Sequence, residues 1–160
     1  PPRSTLFPYT TLFRSRVAEA SKNLDYEVFV NVQGDEPLIE PDDILKAIEL
    51  KSLYPESVIN SYCSIKKNEN PNNLNIPKVV MKENNDLIYI SRAKIPQSKN
   101  NNDQINNKQV CIYSYNNNDL DKFLNYGRKS RTEKIEDIEI LRFFELNINI
   151  KMFEDRKSVV

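Results

Sequence analysis

The chain has 160 residues with 23 Lys plus Arg and 23 Asp plus Glu, and this zero net charge leaves no electrostatic case for nucleic acid or an anionic membrane surface as partner. The absence of histidine removes imidazole acid–base chemistry, histidine-based triads and histidine-ligated zinc, and two glycines cannot form a glycine-rich phosphate loop within this chain. The length allows one domain with a modest core, and no apolar run is long enough to span a bilayer.

Arg16 to Asn23 reads as the end of a helix, with Val17, Ala18 and Ala20 as small apolar positions. Tyr26 to Val32 is an apolar strand, much of it β-branched, that stops at a glycine and two carboxylates, Gly34-Asp35-Glu36. Pro41 followed by Asp42 and Asp43 marks a helix start, because proline suits the first turn and acids suit the positive end of the helix dipole. Ile44, Leu45 and Ile48 are expected to be that helix's core face. Ser57 to Ile65 is the next strand, completing a βαβ unit.

Asn68 to Asn75 is a polar loop. Lys78 to Lys82 and Leu87 to Ser91, joined by Glu83-Asn84-Asn85-Asp86, predict an antiparallel hairpin. Ile95 to Lys108 is Asn-rich and is expected to be a mobile or dimer-facing excursion. Val110 to Tyr115 is another strand. Asn118 is the expected cap of a helix carrying Leu120, Phe123 and Leu124. Thr132 is the expected cap of a final helix that buries Ile135, Ile138, Ile140, Leu141 and Phe144. Ile148 to Phe153 closes the pattern as a strand. Cys63 and Cys111 lie in strand-like apolar contexts and read as buried thiols of a reducing compartment.

The junction Asn31-Val32-Gln33-Gly34-Asp35-Glu36-Pro37 supports two readings. In a sheet with a ligand crevice at its strand ends, Asp35 is a hard oxygen donor suited to magnesium beside phosphate. The same residues also suit a plain turn, in which Asp accepts local amide bonds and proline ends the strand.

The full string NVQGDEPLI resembles the signature of the CMP-sugar synthetases that activate 3-deoxy-manno-octulosonate (KDO) with CTP. Further segments are similar in the same order. Arg16-Val17-Ala18-Glu19-Ala20 resembles the family's segment before the signature strand, and Pro77-Lys78-Val79-Val80 its VKVV strand. Tyr89-Ile90-Ser91-Arg92-Ala93-Lys94-Ile95-Pro96 resembles YFSRATIP. Lys108 to Tyr115 resembles RHLGIYGY, and Ile135 to Leu141 resembles LEQIEML. The likeness covers nearly all of Arg16 to Glu154. Outside it, Thr5 to Ser15 resembles the translation of a short-read sequencing adapter, and Asp155 to Val160 resembles its reverse complement. Residues 1–15 and 155–160 are therefore expected to be artefactual, with 16–154 a partial nucleotide-sugar transferase domain.

The resemblance implies an α/β fold: an incomplete Rossmann-like nucleotidyltransferase sheet, mixed and mostly parallel, with a small antiparallel hairpin excursion. It implies that Asp35 is catalytic and holds Mg2+ between CTP and the sugar. Gln33 is expected to face the sugar acid, and Arg92 to bind a carboxylate, for which the guanidinium fork is suited. Tyr113 and Glu136 are expected to contact sugar hydroxyls, with Gln109 and Asp137 in the same sugar-binding half and Arg16 near the nucleotide. The residues alone leave other roles open: a structural ion pair for Arg92, a core aromatic for Tyr113, a solvated helix-face charge for Glu136.

Gln109 replaces the family's histidine, Cys111 its glycine, Asp137 its glutamine, and Gln97 a common tryptophan. These departures cluster in the sugar-binding half. The implied reaction is attack of a sugar hydroxyl on the α-phosphate of CTP with release of pyrophosphate, in the cytoplasm, for lipopolysaccharide synthesis. The family's homodimer is implied for the full-length protein. The family's triphosphate-binding loop and second magnesium ligand fall outside the matched segment, so this chain by itself is expected to be inactive. A sister synthetase for another acid sugar (amino-KDO or a sialic-acid-like molecule) and a non-catalytic binding module of the same fold stay open.

Overall fold

The computed structural model describes residues 13–34, 39–99 and 106–155, with side chains in the first helix described from Arg16. Helix α1 (Phe13–Ser21) leads to strand β1 (Phe29–Val32), helix α2 (Pro41–Leu53) and strand β2 (Ser57–Ser64). The hairpin β3 (Lys78–Met81) and β4 (Leu87–Ser91) follows, then the long strand β5 (Asn107–Tyr115). Helices α3 (Asn117–Asn125) and α4 (Arg131–Glu136), a 3-10 turn (Glu139–Leu141), helix α5 (Arg142–Glu145) and strand β6 (Asn149–Glu154) complete the order. The adapter-like ends at 1–12 and 156–160, Asp35 with its neighbours 36–38, and the centre of the Asn-rich excursion at 100–105 lie outside the described residues. The expected domain boundary at Arg16 falls inside α1.

The sheet runs β4-β3-β5-β2-β6, with β1 on the same edge of β5 as β3. It is mixed, but its parallel share is smaller than expected. Among the described residues only β2–β6 is a parallel ladder, and β5 is antiparallel to β1, β2 and β3. The βαβ unit survives in a modified form. β1 and β2 both oppose β5, so they are parallel to each other with β5 between them. The local pattern reveals the direction of two strands but not that β5, from much later in the chain, is inserted between them.

Strand alternation gives the sheet two apolar faces. One cluster gathers Val58, Tyr113, Tyr115, Ile150 and Met152 with Leu120, Phe123 and Phe143 from the helices and Leu87 and Ile90 from the hairpin. The other holds Ile59, Val110, Ile112 and Phe153 under Ala47 of α2. That helix turns a different face inward than its apolar residues suggest. Asp43, Ala47 and Lys51 are buried, whereas Leu45 is 63% and Ile48 37% exposed. The small Ala47 lets the helix approach the sheet. Lys51 is drawn in because its Nζ donates to the Pro55 and Ser57 carbonyls and to Asp119.

Both later helices start with capping boxes, two residues earlier than expected: Asn116 with Asp119 for α3, and Ser130 with Glu133 for α4. The single final helix expected after Thr132 is three short pieces. Asp137 adopts a left-handed backbone (φ 51°) that ends α4. The bend carries Ile138, Ile140 and Leu141 into the core and leaves Ile135 74% exposed.

Candidate functional site

A cleft of about 270 Å³ opens where the ends of β1 and β4, the face of β5 and the start of the 3-10 turn meet. Five residues expected at the site line it: Gln33, Arg92, Gln109, Tyr113 and Asp137. Gln33 follows β1, and its N–H donates to the Cys111 carbonyl, which holds the strand end against β5. Gln109, Cys111 and Tyr113 alternate along β5 and so share one face of the sheet. Tyr113 is packed in the core and also reaches the cleft wall. It is 2% exposed and stacks on Tyr115 at 6.3 Å.

Arg92 is the cationic group of the cleft. Its Nε donates to the Glu136 carbonyl, Nη1 to Leu74 at 3.0 Å and Nη2 to Asp137 at 3.2 Å. A guanidinium has five N–H donors. Two, one on each terminal nitrogen, thus take no partner among the described residues.

Glu136 is not among the lining residues. Its carboxylate accepts from the Ser91 hydroxyl at 2.7 Å and from the Arg92 N–H at 2.9 Å. Burial first, then the Glu136 charge and hydrogen bond, push the Tyr89 phenol above its ordinary range. In this structure the Glu136 carboxylate clamps the end of α4 to the end of β4. Arg16 is exposed on α1 and is not brought to the cleft.

The sequence reading missed several residues that build the site. Asn75 and Glu139 line the cleft. Lys78, fully buried, donates its ammonium to the carbonyls of Asn73, Ile76 and Arg92. Burial, followed by the nearby Arg92 charge, lowers its pKa, and Glu136 partly opposes them. Lys78 therefore holds both the loop that carries Asn75 and the backbone of Arg92. Asn60, fully buried on β2, donates to the Val110 and Ile112 carbonyls and accepts from Gln109. A lysine in an apolar strand was a visible signal of a buried ammonium. Asn60 carried none, since its partners are fifty residues away.

Asp35 lies outside the described residues. Among those described, no three His, Cys, Asp or Glu side chains converge as metal ligands, and no helix is long and apolar enough to cross a membrane. Neither cysteine is in a disulfide; Cys63 is buried and Cys111 is part-buried at the cleft.

A mixed α/β sheet with a polar cleft at its strand ends is the architecture of a nucleotidyltransferase domain. The chain belongs to the cytidylyltransferase family, whose model matches residues 13–151. It is similar to the 3-deoxy-manno-octulosonate cytidylyltransferase of Fusobacterium nucleatum, 34% identical over 153 residues that cover 91% of this chain and 60% of that protein. The enzyme of the same description from Thermodesulfovibrio yellowstonii is 36% identical, covering 86% of this chain and 59% of that one. A solved structure of CMP:2-keto-3-deoxy-manno-octonic acid synthetase complexed with CTP superimposes with a TM-score of 0.82 at 29% identity, covering 91% of this chain and 61% of that one. The chain thus spans about three fifths of the length of these relatives.

Proposed function

We propose that residues 16–154 belong to a cytidylyltransferase that joins CTP to KDO, yielding CMP-KDO and pyrophosphate for lipopolysaccharide synthesis. What supports this reading is the convergence of Gln33, Arg92, Gln109, Tyr113 and Asp137, residues from four separate segments of the chain, on one cleft. In the reaction the sugar's anomeric hydroxyl loses its proton to solvent as its oxygen bonds to the α-phosphorus, the α–β phosphoanhydride bond breaks, and pyrophosphate leaves with the bonding pair. Such chemistry depends on positioning and charge neutralisation rather than on a protein nucleophile.

Arg92 is assigned to the sugar carboxylate through its two unengaged N–H groups. Gln33, Gln109 and Tyr113 are assigned to the sugar's polar groups, and Asp137 to the rim. Glu136 and Lys78 are positioning residues that hold Arg92 from its N–H and C=O sides. Asp35 remains the proposed magnesium ligand on chemical grounds, as a carboxylate just past β1; a divalent cation there supplies neutralisation of phosphate charge. Homodimerisation, a cytoplasmic location and the dependence of activity on segments beyond this chain belong to the same proposal.

A second reading is a sister synthetase for a different acid sugar. It is favoured by one observation: three positions that depart from the family pattern, Gln109, Cys111 and Asp137, all line the cleft. The test is pyrophosphate release by a full-length protein carrying this segment, given CTP, Mg2+ and KDO or a panel of acid sugars. Release with KDO supports the first reading, and release only with another acid sugar supports the second. No release with any of them sinks both.

A further inference from the structure

The ladder between β2 and β5 is irregular at one place. Asn60 faces Tyr113, but the next residue, Ser61, faces Val110, so Cys111 and Ile112 are extra residues on β5. Such a bulge leaves backbone groups without ladder partners. Asn60 fills the gap. Its Nδ2 donates to the Val110 and Ile112 carbonyls, each at 2.9 Å, and the side chain is fully buried.

Those two carbonyls can only accept, so the end of the Asn60 amide that meets them must be nitrogen. Its Oδ1 is therefore turned toward Gln109, which must donate. Gln109 Nε2 lies 2.9 Å away. The direction of the Gln109 amide follows from this chain of donors and acceptors, even though amide oxygen and nitrogen look alike by shape. The opposite end, Oε1, takes no hydrogen bond from the described residues, and Gln109 lines the cleft.

We propose that Asn60 is a positioning residue that fixes Gln109 with its carbonyl oxygen as the free end, making this point of the cleft a neutral acceptor that selects a hydroxyl or ammonium donor on the ligand. The proposal rests on the cleft being the acid-sugar site. It deepens that reading by orienting the sugar: a hydroxyl, not the carboxylate or an ether oxygen, meets Gln109. A carboxylate or ether there sets oxygen against oxygen and leaves the acceptor unpaired.

Two measurements test it, the first on the 160-residue chain and the second on a full-length protein carrying this segment. In the first, NMR of the unliganded chain reads couplings across hydrogen bonds. Expected are couplings from Asn60 Nδ2 to the Val110 and Ile112 carbonyls and from Gln109 Nε2 to the Asn60 side-chain carbonyl. A Gln109 amide that donates elsewhere overturns the proposal. In the second, calorimetry compares KDO with its mono-O-methyl ethers. Wild type is expected to bind one ether about tenfold more weakly than KDO. That selectivity is expected to vanish in Asn60→Ala and Gln109→Ala alike, with the double variant no worse than the singles. A general loosening of the fold lowers affinity for every compound and leaves the ratios intact, which counts against the proposal. If KDO does not bind wild type while the couplings are as expected, the sugar assignment fails and the amide direction stands.

Discussion

Arg92 shows how one side chain can be both scaffold and reader. Three of its N–H groups are bound to carbonyls of the loop at Leu74 and of the turn at Glu136 and Asp137, and the remaining two take no partner among the described residues. Lysine cannot reproduce that fork, since it offers one compact charge. In the full-length protein, Arg92→Lys is expected to raise KM for the acid sugar about tenfold or more and to change KM for CTP much less. Steady-state kinetics with each substrate varied checks this, and equal effects on both substrates refute it. Asn31 gives a contrasting case. It is 6% exposed on β1, and its Nδ2 has no partner among the described residues. A buried orphan donor costs stability, so Asn31→Val is expected to leave stability unchanged or raise it by about 1 kcal/mol. Urea unfolding measures this, and a clear loss refutes it. The site residues legible in the sequence were those inside recognisable strings, such as Gln33, Arg92 and Tyr113. Lys78 lies inside such a string and signals a buried ammonium, but neither its part in building the site nor that of Asn60 was legible. Their roles are set by carbonyls that only the folded chain brings near.

Among the elements, the strands were read well because their alternation is written locally, and β2, β3, β4 and β6 fall within one residue of expectation. The helices were read less well. Apolar spacing on α2 pointed to Leu45 and Ile48, but the buried Lys51–Asp119 pair selected another face. That pair ties α2 to the first turn of α3, where Asp119 also accepts from the Asn116 N–H within the capping box. Removing one partner leaves an uncompensated buried charge. Asp119→Ala is therefore expected to cost about 3–5 kcal/mol, and Lys51→Met/Asp119→Leu is expected to recover much of the loss. Chemical unfolding of Asp119→Ala, of the single replacements Lys51→Met and Asp119→Leu, and of the double variant decides it. Purely additive losses mean that the pair is not coupled.

At the scale of the whole molecule, the sheet curls until its two ends touch. β4 and β6 are opposite edges of the strand order, yet the tip of the β3–β4 hairpin is fastened to β6. The Met152 N–H donates to the Asn85 carbonyl, Lys151 pairs with Asp86 at 2.6 Å, and Asn149 donates to Asp86 at 2.9 Å. The sequence presents Asn84-Asn85-Asp86 only as a turn, since nothing local says that a strand from the far edge will arrive there. The closure matters for the cleft, because Ser91 ends β4 and Arg92, which lines the cleft, follows directly. The Lys151 hydrogen bond, opposed by some burial and helped by Asn149, Asn84 and the Lys151 charge, lowers the Asp86 pKa from 3.8 to about 2. A carboxylate whose folded pKa is depressed adds stability above its unfolded pKa and loses it as pH falls through the folded value. Relative to Asp86→Asn, the wild type is therefore expected to be more stable by about 1–2 kcal/mol at neutral pH, allowing for solvent screening at the rim. The gap is expected to begin narrowing below pH 3.8 and to be mostly closed at about pH 2. Urea unfolding of both proteins across that range, with hydrogen exchange at Met152 as a local probe, reads the effect. A gap that stays constant with pH shows that Asp86 does not fasten the hairpin through its charge.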